Sequence, residues 1–209
     1  MENIRNAFPA GGKFILGITG GVGSGKSRVL EILKEEYGFR VIQADQVAKD
    51  LMQPGQESYR AVVDFLGPSI LNEDGTINRP AMAQVIFDCP DKRIQVDRLT
   101  HPLVWNTAFG EALACPEPLV VIEAAIPSKE FRDNCGEMWY VYTSRENRME
   151  RLQREPRLHT GENGKHYGQP GRRRPDSREF SDAVIDNNGS VEDTRKQIRR
   201  LLKNKIRMQ

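Results

Sequence analysis

The chain has little cysteine. Only Cys89, Cys115 and Cys135 occur in 209 residues, an odd and scattered set. None forms a C-x-x-C pair, so no disulfide or metal staple is expected, and free thiols in a reducing cytoplasm fit best. Long apolar runs are also missing. No segment approaches the roughly 18 consecutive apolar residues of a spanning helix, so no membrane association is expected. The start carries Glu2 and Arg5 without a long apolar run behind them, and no signal peptide is expected. Charge of one sign is lacking too. Thirty-one Lys and Arg face 29 Asp and Glu, a net of +2, which gives no global argument for nucleic acid. There is no internal repeat. What remains is ordinary for a globular protein: 38% hydrophobic and 29% charged. The length suits one compact domain with room for a small helical insertion, and it is enough to bury a core.

The apolar run Phe14-Ile15-Leu16-Gly17-Ile18-Thr19 predicts a strand covered on both faces. A glycine-rich turn follows. Val29, Leu30, Ile32 and Leu33 then line one side of a helix beginning near Lys26 and ending at Gly38. Arg40-Val41-Ile42 reads as a second strand. Strand, helix, strand is the opening unit of a parallel α/β sheet. From Asp45 to Cys115 helical patterns dominate, over Gln46–Met52, Glu57–Leu66, Pro80–Phe87 and Asp91–Ala114, with no convincing buried strand. This predicts a helical insertion over one end of the sheet. Strands resume at Leu119–Ile122 and Met138–Tyr142, and Ser144 is a plausible N-cap for a helix running to about Glu155. Residues 156–178 hold three prolines, four glycines and almost nothing apolar, and from Arg151 to Arg178 eight Lys and Arg oppose three Asp and Glu. That composition predicts a basic, mobile loop. Ala183–Ile185 is a last short strand. Ser190 caps a terminal helix, with Asp193 a weaker match than Glu or Gln for a capping box.

The chemistry is concentrated in Gly20-Gly21-Val22-Gly23-Ser24-Gly25-Lys26-Ser27, a G-x-x-x-x-G-K-S run. Glycines let the backbone curl until successive N–H groups point at phosphate oxygens. The helix behind presents its positive N-terminus to the same anion. Lys26 reaches the β- and γ-phosphates, and Ser27 places a hydroxyl on a metal ion. The run sits between a buried strand and an apolar-faced helix, the context that its mechanism requires. It predicts a nucleoside triphosphate, ATP with Mg2+.

Asp45 follows the second strand, at the carboxyl edge shared with the phosphate loop. A carboxylate there takes a proton from an acceptor hydroxyl, orients magnesium through water, or caps a helix at Gln46. Arg148, Arg151 and Arg154 recur every third residue and either clamp phosphate or form a solvated basic face. Arg172-Arg173-Arg174 reads as solvated loop or a nonspecific anion contact. His101, before Pro102, is a structural histidine or a substrate contact. Trp105, Phe109 and Trp139 are most simply core.

These residues resemble a known family. Ile18 to Ser27, followed by Val41-Ile42-Gln43-Ala44-Asp45, are similar to the start of the dephospho-CoA kinases. Met52-Gln53-Pro54-Gly55 is similar to that family's turn after the second helix. Leu99-Thr100-His101-Pro102-Leu103 resembles its L-x-HP-L segment, and Arg151-Leu152-Gln153-Arg154-Glu155 its R-L-x-x-R-D. Ser181 to Ser190 resembles its A-D-x-V-I-D-N-x-G-S. Order and spacing agree over about residues 14–205.

The resemblance implies an α/β P-loop NTPase fold: a five-stranded parallel sheet flanked by helices, with a helical insertion and a lid. One kinase domain would span 13–209, after a lead-in of 1–12. Its core would be 13–45, 117–155 and 180–209, its acceptor-binding insertion 46–116 and its lid 156–179. The reaction implied is transfer of the γ-phosphoryl of ATP to the ribose 3′-hydroxyl of dephospho-CoA, the last step of coenzyme A biosynthesis. By position, Asp45 becomes the base and a substrate contact, and Lys26, Arg151 and Arg154 the phosphoryl contacts. Gly21, Val22, Gly23, Ser24, Gly25, Lys26, Ser27, Arg28 and Asn187 bind ATP, with Asn187 near the adenine. Ser27 serves the metal, and Thr19 and His101 face the acceptor. A cytoplasmic monomer or small homo-oligomer without nucleic acid is the implied setting.

The chain departs from the family's pattern at four places. Gln43-Ala44-Asp45 stands where the family has D-A-D, and Arg28 replaces its usual Thr. Ala124-Ala125-Ile126-Pro127-Ser128 stands where the family reads P-L-L-F-E. The lid run Gly161 to Pro170 cannot hold a regular helix. Other small-molecule kinases, a nucleotide-binding module without transfer chemistry, and a basic-loop nucleic-acid binder are the alternative readings.

Overall fold

The computed structural model describes residues 12–154 and 178–203. The run Arg172–Arg174 and nearly all of the expected lid and lead-in lie outside the described residues. In chain order the elements are β1 (Phe14–Thr19), α1 (Lys26–Tyr37), β2 (Arg40–Gln43), α2 (Ala44–Leu51), α3 (Glu57–Leu66), α4 (Arg79–Asp88), α5 (Pro90–Ala114), β3 (Leu119–Glu123), α6 (Lys129–Asn134), β4 (Glu137–Tyr142), α7 (Arg145–Arg154), β5 (Ala183–Asp186) and α8 (Val191–Leu202). The chain divides into two compact units, the first formed by the segments before and after residues 42–115 and the second by residues 42–115.

The first unit is built on one sheet in the order β2-β3-β1-β4-β5. The pairs β1–β3, β1–β4 and β4–β5 are parallel. All six residues of β1 are buried, as a central strand covered on both faces requires. Leu16, Ile18, Val121, Trp139, Val141 and Ile185 form a core with Val29 and Leu33 of α1 and Ile198 and Leu202 of α8. Each such side chain contributes about 1.5–3 kcal/mol of burial. Because β3 and β4 flank β1 on opposite sides, the chain connections diverge at the carboxyl end of β1. In open α/β sheets that is where ligands bind.

Two details differ from expectation. Six-residue α6 carries no periodic signal in the sequence, because it is too short to show one. Ser128 caps it, accepting from the Phe131 N–H at 3.1 Å, and Phe131 is fully buried. At α8 the shorter aspartate closes a complete capping box. Asp193 Oδ2 accepts from the Ser190 N–H at 3.1 Å, and Ser190 Oγ accepts from the Asp193 N–H at 3.2 Å.

The second unit is helical. Val62, Ile70 and Val96 form its core with Met52, Leu66, Met82 and Ile86 packed around them. Its only described β-pairing is an isolated bridge between Leu71 and Ile77. None of the three cysteines is in a disulfide, and burial pushes the Cys135 thiol up to about 12, so it stays protonated and inert. Among the described residues no helix is long and apolar enough to cross a membrane.

Candidate active site

The loop after β1 turns tightly, with the Ser24 N–H donating to the Gly21 carbonyl at 3.1 Å. Gly23 and Gly25 take φ of 76° and 87°, the left-handed region that side chains disfavour. Gly25 is the N-cap of α1 and supplies no side-chain cap. Among the described residues, the N–H groups of Val22, Gly23, Gly25, Lys26 and Ser27 meet no backbone acceptor. Orphan donors at the positive end of a 12-residue helix make an anion cradle. Thr19 Oγ1 and Ser24 Oγ are also buried there without a hydrogen-bond partner among the described residues. Ser27 and Arg28 are exposed, and Arg28 pairs with Glu31 at 2.6 Å.

Lys26 folds back into this cradle. Its Nζ donates to the Gly20 carbonyl at 2.9 Å and lies 3.4 Å from Glu123 Oε1, with both side chains largely buried. Glu123 ends β3, in register with Ile18. Sequence reasoning did not single out Glu123. Its signal was present: an apolar strand ended by a carboxylate on the edge that carries the cradle. A charge so buried needs a partner, and Lys26 provides one.

The loop is clamped by residues that follow β4 and β5. Arg148 Nε donates to the Val22 carbonyl at 2.9 Å, and its guanidinium lies flat on Gly21, where an added Cβ would sit 2.9 Å from Cζ. Arg151 Nη2 donates to the Asn187 carbonyl at 2.7 Å, and its Nη1 lies 3.5 Å from the Ser24 carbonyl. Asn187 itself is buried, its Nδ2 donating to Ser24 O at 2.8 Å. An added Cβ on Gly25 would sit 2.0 Å from that nitrogen, so glycine is required there by space as well as by φ. Ser144 caps α7 through the Asn147 N–H at 3.3 Å. The side chain of Arg154, the last residue of α7, lies outside the described set.

Asp45 and His101 belong to the helical unit. Here the cap alternative for Asp45 is corrected: α2 begins at Ala44 with Gln43 as N-cap, and Asp45 occupies the first turn, exposed. Helix formation two residues earlier than the pattern suggested leaves its carboxylate uncommitted, with no hydrogen bond or ion pair among the described residues. His101 is half-exposed on α5, 3.9 Å from Asp97 Oδ1 and tilted against Trp105 with ring centroids 6.1 Å apart.

A family model described as dephospho-CoA kinase matches residues 14–193. The chain belongs to the dephospho-CoA kinase family. The dephospho-CoA kinase of Geobacter metallireducens is 33% identical over 196 residues, covering 92% of this chain and 96% of its own. A solved dephospho-CoA kinase from Campylobacter jejuni superposes with a TM-score of 0.61 at 15% identity, covering 92% of this chain and 98% of that one. A Thermus thermophilus structure gives 0.69 at 22% identity, with 92% and 97% covered. At those identities the superpositions speak to the fold, which is the expected P-loop kinase α/β sheet. The dephospho-CoA kinase reaction is ATP-dependent phosphorylation of dephospho-CoA, and the chain is a phosphotransferase of this family. In this dephospho-CoA kinase family member, the run Ala124–Ser128 leads from Glu123 into α6 and supplies its cap.

Proposed function

We propose that this chain transfers the γ-phosphoryl of ATP to the ribose 3′-hydroxyl of dephospho-CoA, with Mg2+, as the last step of coenzyme A biosynthesis. The observation that carries this reading is Lys26 at the head of α1, paired with buried Glu123 inside a ring of orphan N–H groups. That arrangement holds a cation ready for the β- and γ-phosphates and costs little reorganisation when they arrive. On binding, Lys26 exchanges the Gly20 carbonyl for phosphate oxygens. Val22, Gly23, Gly25 and Ser27 donate their N–H groups to the same triphosphate.

The residues present fit a magnesium ion. Magnesium takes hard oxygen donors and is commonly held by one or two protein oxygens plus phosphate and water. Ser27 Oγ and the Glu123 carboxylate are the oxygens that would serve it. When bound, magnesium neutralises charge on the phosphates. Asp45 is the proposed base. It takes the 3′-hydroxyl proton as the oxygen forms its bond to the γ-phosphorus, and the bond from that phosphorus to the bridging oxygen breaks to release ADP. Arg154 and Arg148 supply cationic contacts as charge spreads, and Arg151 holds the loop that makes them. Thr19 and His101 are assigned to the acceptor side, and Arg28 and Asn187 to the nucleotide side. The remaining parts of the reading are one kinase domain over 13–209 with insertion 46–116 and lid 156–179, and a cytoplasmic monomer or small homo-oligomer independent of nucleic acid.

An acceptor screen with ADP detection tests the reading. ADP release from ATP and Mg2+ should rise with dephospho-CoA and stay near background with adenosine, shikimate or gluconate. Turnover with another hydroxyl compound but none with dephospho-CoA would overturn the assignment.

A further inference from the structure

Three donors converge on one backbone carbonyl of the phosphate loop. Ser24 O accepts from Thr143 Oγ1 at 2.8 Å, from Asn187 Nδ2 at 2.8 Å and from Arg151 Nη1 at 3.5 Å. Thr143 and Asn187 are buried, and they reach the loop from the ends of β4 and β5. A carbonyl has two lone pairs and most accept one bond, so this one is unusually committed.

The donors' own orientations are fixed. Ser24 O can only accept, so the Asn187 amide must turn its nitrogen toward it. Asn187 Oδ1 then faces Thr194 Oγ1 at 2.9 Å, and Thr194 is fully buried. Arg151 Nη1 approaches Thr143 Oγ1 at 3.4 Å and fills the acceptor side of that hydroxyl. The Thr143 hydroxyl proton has the Ser24 carbonyl at 2.8 Å as its shortest acceptor, with the carbonyls of Tyr142 at 2.9 Å and Asn187 at 3.5 Å also within reach.

The consequence follows from peptide geometry. In a trans peptide the N–H points opposite to the C=O. With Ser24 O drawn inward by buried donors, the Gly25 N–H is turned outward, away from the cluster, and it meets no backbone acceptor among the described residues. A loop with left-handed glycines at 23 and 25 can otherwise rotate this peptide with little resistance.

We propose that Thr143 and Asn187 are positioning residues that hold the Ser24–Gly25 peptide with its N–H facing the phosphates of the bound nucleotide. Thr194 and Arg151 lock the two donors. Asn187 therefore acts on the phosphate end through Gly25, and not on the base. This inference rests on the cradle reading above, and its test separates the two.

The test is calorimetric titration of the full chain with inorganic triphosphate and, separately, with adenosine. Wild-type protein should bind triphosphate; if it does not, the cradle reading fails first. Given wild-type binding, Thr143→Val and Asn187→Ala should each weaken triphosphate about tenfold, the size of one hydrogen bond to a charged group. Thr143→Ser keeps the hydroxyl and should restore wild-type affinity, which a packing role for the methyl would not do. Adenosine affinity should be unchanged in all three. Undiminished triphosphate affinity in Thr143→Val and Asn187→Ala would overturn the proposal. So would a loss of adenosine affinity in Asn187→Ala as large as the loss of triphosphate affinity, which would return Asn187 to the base.

Discussion

Lys26→Ala should lower kcat/KM for ATP-dependent phosphorylation by about a thousandfold or more. The ammonium is the one side-chain cation that the G-x-x-x-x-G-K-S run itself delivers, and its charge acts where the phosphoryl oxygens gather negative charge in transfer. Removing a single preorganised donor of that kind costs on the order of 10²–10³ in rate, and a full cation costs more. The structure adds a complication that must be separated from catalysis. Lys26 lies 3.4 Å from a carboxylate with a side chain only 8% exposed. Taking the cation from beside buried Glu123 costs about 3–5 kcal/mol when no other change compensates. Loss of activity could then reflect unfolding. The double variant Lys26→Met with Glu123→Gln removes both charges from the buried site and should recover most of the thermal stability. It should not recover turnover, because Lys26 and the proposed magnesium oxygen of Glu123 are both gone; Glu123→Gln alone, which keeps Lys26, should retain more turnover than the double variant. Measuring Tm beside kcat/KM in the single and double variants distinguishes the two effects, and near-normal turnover in either variant that lacks Lys26 would remove Lys26 from the mechanism.

Asp45→Asn should lower kcat by about 10²–10⁴, the range for loss of a positioned general base, with ATP affinity within about threefold of wild type. The local structure makes this a clean substitution. Asp45 is exposed in the first turn of α2, caps nothing, and makes no ion pair among the described residues. Asparagine keeps the shape, and the only structural cost is one negative charge at a helix N-terminus, about 0.3–1 kcal/mol. Steady-state kinetics with ATP varied at saturating dephospho-CoA, together with a direct ATP titration, gives both quantities. Retention of kcat would reduce Asp45 to a helix-terminal charge.

The parts of this molecule that are legible in its sequence are those where the signal is local. Phe14 to Thr19 is apolar on both faces, the glycines after it specify a turn, and Val29, Leu30, Ile32 and Leu33 keep a helical period, so strand, cradle and helix are written consecutively. The buried clamp is not written that way. Thr143 and Asn187 meet Ser24 across 119 and 163 residues of chain, and nothing in a threonine after a strand or an asparagine before a turn announces which carbonyl it will reach. The contact exists because three parallel strands end at one sheet edge, a property of strand order. Arg148 and Arg151 show the same limit. Their spacing puts both on one side of α7, but only the fold decides that Arg148 lies on Gly21 while Arg151 is committed to the carbonyls of Ser24 and Asn187. Glu123 hid in plain view at the end of an apolar strand. Asp193 is a weak capping-box match by residue type, yet the local backbone at Ser190 brings the shorter carboxylate within reach.

The run between Glu123 and α6 departs furthest from the pattern of the family, which makes the identity of the acceptor the central question. Product identification by NMR tests the proposed acceptor most directly. After incubation of the purified chain with ATP, Mg2+ and dephospho-CoA, the ³¹P spectrum should gain one new phosphomonoester, and the proton couplings should place it on the ribose 3′-oxygen, with ADP formed in equal amount. ADP formed without a phosphomonoester on dephospho-CoA, or a phosphate found at any other position, would contradict it.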